Sequence, residues 1–118
     1  MDDTFSQQIR KGVLGMLVLE LLCRERCHGY GLQQRLKETS AGLFDVKEGT
    51  LYPILYRLED DGFIQSLWSR GEGRARPQKI YEVTQQGREE SVRRQALWAE
   101  FSGTVERILK GDSDHENG

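Results

Sequence analysis

The chain has 118 residues and a formal net charge of -2 at neutral pH, enough for one domain with a modest core and too little for a separate catalytic domain beside it. An acidic start, Asp2-Asp3, and an apolar stretch from Val13 to Leu22 interrupted by Glu20 argue against a signal peptide or a membrane span, so a cytoplasmic location with no membrane partner is expected. Two cysteines, Cys23 and Cys27, do not make a disulfide framework.

The charge is unevenly placed. Residues 1–3 and 111–118 hold five of the 19 acidic residues (Asp2, Asp3, Asp112, Asp114, Glu116) and none of the 17 basic ones, so residues 4–110 carry a surplus of three positive charges. The stretch from Gly62 to Tyr81 sets Arg70, Arg74, Arg76 and Lys79 against Glu72 alone. A local basic patch suffices for a nucleic-acid footprint, which depends on the local field and not on total charge.

From Phe5 to Arg24, the residues Phe5, Ile9, Val13, Leu14, Met16, Leu17, Leu21 and Leu22 recur at helical spacing without a proline, which predicts a long first helix. It is apolar on more than one side, so it needs two neighbours, one in its own domain and one in another helix or chain. Gly12 and Gly15 inside it each cost about 1 kcal/mol relative to alanine and imply close approach to that face.

His28-Gly29-Tyr30-Gly31 opens a second helix reaching about Ser40, with Leu32 and Leu36 inward and Gln33, Gln34, Arg35 and Lys37 outward. Ala41-Gly42-Leu43-Phe44-Asp45 is the turn. The run from Val46 to Ile64 holds a third helix, in which Leu51, Ile54, Leu55 and Leu58 share one side of a 3.6-residue period. The opposite side carries Gly49, Tyr52, Pro53, Tyr56 and Arg57, and Gly62 ends the helix. Two short helices joined by a glycine-containing turn are a helix-turn-helix, and an aromatic, basic outer face on the second suits phosphate and base-edge contacts.

Ile64 to Arg70 and Lys79 to Val83 read as a two-stranded hairpin, with a basic glycine-rich tip from Gly71 to Gln78 between them. Thr84 caps a final helix continuing to about Lys110, in which Trp98, Phe101, Val105 and Ile108 advance like a heptad seam and call for a partner. The last residues, 111–118, are acidic and expected to be disordered.

The expected fold is mainly α with a small β-hairpin: a winged helix-turn-helix over residues 1–83, whose first helix also serves a dimer, and a C-terminal dimerisation helix over 84–110. Contacts to a double-stranded DNA operator are expected from Tyr30, Gly49, Thr50, Tyr52, Tyr56 and Arg57 around the major groove. Arg74 and Arg76 are expected at the minor groove or flanking phosphates, with Arg70 and Lys79 as further DNA contacts at the base of the wing. If the last helix pairs with the first helix of a second subunit, then Ile9, Gly12, Met16, Trp98, Ser102 and Val105 line one space. Aromatic faces and a polarizable methionine there suit a flat apolar compound.

Cys23, Cys27 and His28 supply three ligands of the four that structural zinc prefers, so no metal and no cofactor is expected. An enzyme is not expected either, since His28 and His115 are the only histidines and neither a nucleotide loop nor a serine elbow occurs. The competing class is a winged helix that uses its wing and third helix to hold another protein.

The strings His28-Gly29-Tyr30, Gly49-Thr50-Leu51-Tyr52-Pro53, Arg57-Leu58-Glu59, Gly62-Phe63-Ile64 and Lys79-Ile80-Tyr81-Glu82-Val83-Thr84-Gln85-Gln86-Gly87, in this order and spacing, resemble the signature of PadR-type bacterial transcriptional regulators. The resemblance covers about residues 9 to 109, and the single C-terminal helix is similar to that of the compact, multidrug-responsive subfamily. It implies a homodimeric repressor that leaves DNA when an aromatic or other small compound binds, with Trp98 stacking on planar ligands across the dimer axis. Gln78 stands where relatives commonly carry a further basic residue.

Overall fold

The computed structural model describes residues 4–70, 73 and 76–111. In chain order the elements are α1 (Thr4–Arg24), β1 (Cys27–His28), α2 (Gly29–Thr39), α3 (Glu48–Asp60), β2 (Ile64–Trp68), β3 (Lys79–Val83) and α4 (Gln85–Lys110). The mainly helical winged-helix architecture is the expected one. Arg74 and the acidic residues after Gly111 lie outside the described residues, while Gly111 itself caps α4 in a left-handed conformation, φ 72°.

The core is assembled from one stripe of each element. Leu14, Val18, Leu19, Leu21 and Leu22 of α1, Leu32 and Leu36 of α2, and Leu51, Leu55 and Leu58 of α3 close over Ile64 and Tyr81 of the sheet. Ile54, expected inward, is half-buried and packs against this cluster. Among the described residues no buried polar side-chain atom lacks a hydrogen-bond partner.

The sheet has three strands and not the two of a simple hairpin. Its order is β1-β3-β2, all antiparallel, with Cys27 opposite Tyr81 and His28 opposite Ile80 on one edge, and Ile64 opposite Val83 through Trp68 opposite Lys79 on the other. Two residues are too few to show alternation, and His28 has a second role that hides the strand. Its Nδ1 accepts the Gly31 N–H at 3.1 Å, so it is the N-cap of α2 and not the helix's first residue. β2 ends at Trp68, two residues before the expected Arg70, and Ser69 closes the hairpin by donating its N–H to the Gln78 carbonyl at 2.8 Å.

Arg35, expected on the outer face of α2, turns back instead. Its guanidinium donates to the Leu21 and Glu25 carbonyls at 2.8 and 3.0 Å and to Cys27 Sγ at 3.4 Å. The Leu21 carbonyl, which also accepts the Glu25 N–H at 3.1 Å, and the Glu25 carbonyl lie at the C-terminal end of α1, where the helix dipole favours a cation.

α3 stops in a Schellman turn: Gly62 N–H bonds the Glu59 carbonyl and Phe63 N–H the Leu58 carbonyl, both at 3.0 Å, with Gly62 at φ 82°. α4 starts against this turn. Thr84 Oγ1 donates to the Gly62 carbonyl at 2.7 Å and accepts the Gly87 N–H at 3.0 Å, and Thr84 N–H reaches the Phe63 carbonyl at 3.0 Å. A side chain at Gly87 would run into that same Phe63 carbonyl oxygen. Gly87→Ala should therefore cost about 2–3 kcal/mol in urea unfolding, whereas Gly103→Ala on the same helix, where an added Cβ makes only an ordinary contact with the Arg107 guanidinium at 4.0 Å, should gain up to about 1 kcal/mol.

Candidate functional site

α3 has three faces rather than an inner and an outer one. Leu51, Leu55 and Leu58 face the core. Tyr52, Tyr56 and Glu59, at spacings of four and three, turn toward the sheet. Glu59 Oε2 accepts the Ser66 hydroxyl of β2 at 2.6 Å, the Tyr56 ring lies beneath Lys79 Nζ at 5.9 Å from its centroid, and the Tyr52 and Tyr56 ring centroids are 6.2 Å apart. Tyr52, expected on the open face, is half-buried, with its hydroxyl against Gly29 at the start of α2. Burial first, then the nearby Glu48 and Tyr56, pushes its phenol above the ordinary value.

The third face is open. Gly49, Thr50, Pro53 and Arg57 are exposed, and Arg57 makes no ion pair with any described residue, including the Asp60 and Asp61 within helical reach. Pro53 has no N–H to offer the Gly49 carbonyl one turn back, so that acceptor stays available on this face. Tyr30 is exposed near the α2 N-terminus.

Arg70 and Arg76 are exposed on the hairpin beyond its base. Lys79 is different: it is half-buried, and its Nζ lies 5.4 Å from the ring centroid of Tyr81 as well as over Tyr56. Tyr81 is almost wholly buried, and burial, with Tyr52, Tyr56 and Glu59 adding to it, pushes its phenol up to about 12, so the ring stays neutral.

A second feature lies along α1 and α4 of the same chain. Near the middle of the molecule the helices are clamped: Glu20 Oε1 accepts from Ser91 Oγ at 3.2 Å and Gln95 Nε2 at 3.0 Å, and Arg88 donates to the Cys23 carbonyl at 3.2 Å. Beyond the clamp they border an open groove of about 1240 Å³, lined by Phe5, Ile9, Met16, Trp98, Phe101 and Val105 among others. Gly12 and Ser102 also line it, so all six residues expected to share a space do so, on two helices of one chain. Ile108 lies farther along α4, outside this groove and 73 % exposed.

Arg94 forms the inner end of the groove, its guanidinium reaching over Gly15 and standing 5.5 Å from the Phe63 ring centroid. Glu90, only 9 % exposed, accepts from Arg94 Nε at 2.7 Å and from Arg93 Nε and Nη2 at 2.8 and 2.9 Å. The Arg93 hydrogen bonds, against the opposing effect of burial and helped by those of Arg94, hold the Glu90 carboxyl down at about 2. Sequence reasoning left this trio out, although a glutamate followed three and four residues later by arginines on a helix is a visible signal.

Cys23 and Cys27 are free thiols, both raised above the ordinary value mainly by burial, which leaves them poor thiolates. No group of three His, Cys, Asp or Glu able to hold a metal occurs among the described residues. No described helix is long and apolar enough to cross a membrane.

The model of the transcriptional regulator PadR-like family matches residues 18–93. The chain belongs to that family. This PadR-like chain is 33 % identical over 82 residues to the transcriptional regulator Rv3488 of Mycobacterium tuberculosis, covering 70 % of this chain and 72 % of that protein. A PadR-like transcription factor from Bacteroides fragilis is 34 % identical, with a TM-score of 0.72 over 90 % of this chain and 99 % of that one. A PadR family regulator from Eggerthella lenta is 32 % identical, with a TM-score of 0.80 over 90 % and 89 % of the two chains. The PadR-like chain is accordingly a transcriptional regulator of a DNA-binding class and not an enzyme.

The Glu90 trio sets a pH dependence in this PadR-like protein. A carboxyl held at about 2 in the folded chain, against an ordinary 4.5, adds stability that is complete above pH 4.5 and is lost as pH falls toward 2. Glu90→Gln should lower stability at pH 7 by about 2 kcal/mol, and the gap between the two proteins in thermal unfolding should close as the pH drops through that window.

Proposed function

We propose that this PadR-like chain is a homodimeric repressor that reads an operator with α3 and its wing, and that a flat aromatic compound in the α1/α4 groove releases it. The open face of α3 carries the reading: Gly49, Thr50 and Arg57, beside the available Gly49 carbonyl, form a small-residue surface with one unpaired guanidinium, which suits entry into a major groove. Tyr56 and Tyr30 are exposed and are the aromatic contacts on this reading, and Tyr52 packs between Tyr56 and the start of α2. The exposure of Arg70 and Arg76 on the hairpin suits contact with flanking phosphates or the minor groove, and Arg74 adds to the same basic stretch of sequence.

Dimerisation through α4 is supported by its exposed apolar residues, Phe101, Ile108 and Leu109 at 65, 73 and 74 % exposure, which a lone chain leaves in water. A dimer must hold its two α3 helices about one DNA turn apart, roughly 34 Å. The groove borders that seam through Trp98, Phe101 and Val105, so a compound seated there acts on the spacing.

The test is fluorescence anisotropy of a labelled duplex from immediately upstream of this protein's own gene, against a scrambled duplex, at several salt concentrations. Tight, selective and salt-dependent binding is expected, and equal weak binding to both duplexes would favour the protein-interaction class. Arg57→Ala should weaken binding about tenfold or more, and Arg76→Ala should reduce the slope of log K against log salt by about 1. Planar dyes should quench Trp98 emission and weaken operator binding, with Trp98→Ala removing both effects and Trp68 serving as the internal control.

A further inference from the structure

The wing meets α3 at two points, and both use side chains that a solvent-facing reading of the helix would assign to DNA or to water. Ser66 on β2 donates to Glu59 at 2.6 Å, and Lys79 on β3 stands over Tyr56 at 5.9 Å and Tyr81 at 5.4 Å. Lys79 and Tyr81 are two apart on one strand and so share its face, and Tyr56 and Glu59 are three apart on one helix and so share its side. One ammonium thus sits against a buried strand ring and a half-exposed helix ring, in the range where a cation is attracted by ring quadrupoles.

On the DNA-binding reading above, we infer that Lys79 is a positioning residue: it clips the wing to α3 through Tyr56 and Tyr81 and does not itself hold a phosphate. An ammonium drawn out to a phosphate gives up both ring contacts, whereas Arg70 and Arg76, exposed and in no ion pair with a described residue, lose nothing by meeting one. The wing needs such a clip. Of β2 and β3, Ile64 at the core end and Tyr81 at the middle of its strand are buried, while Leu67 and Trp68 toward the tip are exposed. Beyond the pairing of β1 with Ile80 and Tyr81, the outer part of the hairpin swings unless side chains hold it, and the angle between wing and α3 sets whether both reach the same duplex. The strand register supplies a reporter, because Trp68 lies directly opposite Lys79.

The experiment compares wild type, K79M, K79R, Y56L and the K79M/Y56L double variant of the full chain. Operator affinity is measured on the upstream duplex across a salt series, and the steady-state anisotropy of Trp68 emission is measured without DNA in a W98F background. K79M keeps the aliphatic stem and loses the cation. It should weaken binding about fivefold, leave the salt slope unchanged and lower the Trp68 anisotropy. K79R, which also places a cation on the rings, should restore affinity and anisotropy. Y56L should show the loss of K79M, and the double variant should be no weaker than either single one. A salt slope reduced by about 1 in K79M with Trp68 anisotropy unchanged would make Lys79 a phosphate ligand and overturn the clip, as would additive losses in the double variant. If wild type binds no upstream duplex the DNA reading fails, and the clip is then decided by Trp68 alone: unchanged anisotropy in K79M rejects it.

Discussion

Thr84 sits where α3, the sheet and α4 meet, and its hydrogen bonds hold the three in one orientation. Its hydroxyl donates to the Gly62 carbonyl and accepts from Gly87, and its N–H reaches Phe63, so a single side chain completes the end of α3 and the start of α4 together. Buried apolar stripes make the core cohesive, but they are non-directional and would tolerate rotation of one helix against another. Directional bonds at a crossing point remove that freedom. The tight seat of Gly87 on the Phe63 carbonyl, and Arg94 over the Phe63 ring, brace the same junction from its other sides.

Division of labour on α3 follows from this framework. A helix of 13 residues offers a little over three turns, and here one side is given to the core, one to the wing and one to the surroundings. The open side is narrow and built from small residues, with Arg57 as its one basic group. The Ser66–Glu59 bond and the lysine between two tyrosines hold the wing beside that surface. At the other end of the molecule, α1 and α4 do the opposite. They are joined by polar contacts at Glu20 and left apart where their side chains are most apolar, so the chain keeps a hydrophobic cleft open.

Much of this was legible from residue spacing. The leucines of α3, the glycine that ends it, the cap at Thr84 and the long reach of α1 and α4 all come from local periodicity and capping chemistry, which act within a few residues. What was not legible depends on contacts distant in sequence. β1 is two residues long, and its pairing with β3 cannot be seen without the sheet. The turn of Tyr52 and Tyr56 toward the wing was hidden because a helical period separates buried from unburied positions but says nothing of a second neighbour packed on the unburied side. Arg35 reads as a solvated residue until the end of α1 is brought beneath it. The six residues expected to share a space line one groove between α1 and α4 of a single chain, whereas the sequence reading grouped them on the condition that these helices pair across subunits.

The rigid base of α4 has a geometric consequence. At 1.5 Å per residue its 26 residues extend about 39 Å, so the helix is a lever whose short end is bolted beside α3 at Thr84 and Gly87. A tilt of about 10° applied through the far half displaces the tip by about 7 Å relative to the base, roughly two base-pair steps of DNA at 3.4 Å each. Because the base does not yield, a tilt of the helix turns α3 through the same angle rather than being absorbed in a soft joint. A small change of angle around Trp98 therefore becomes a change in the aim of α3.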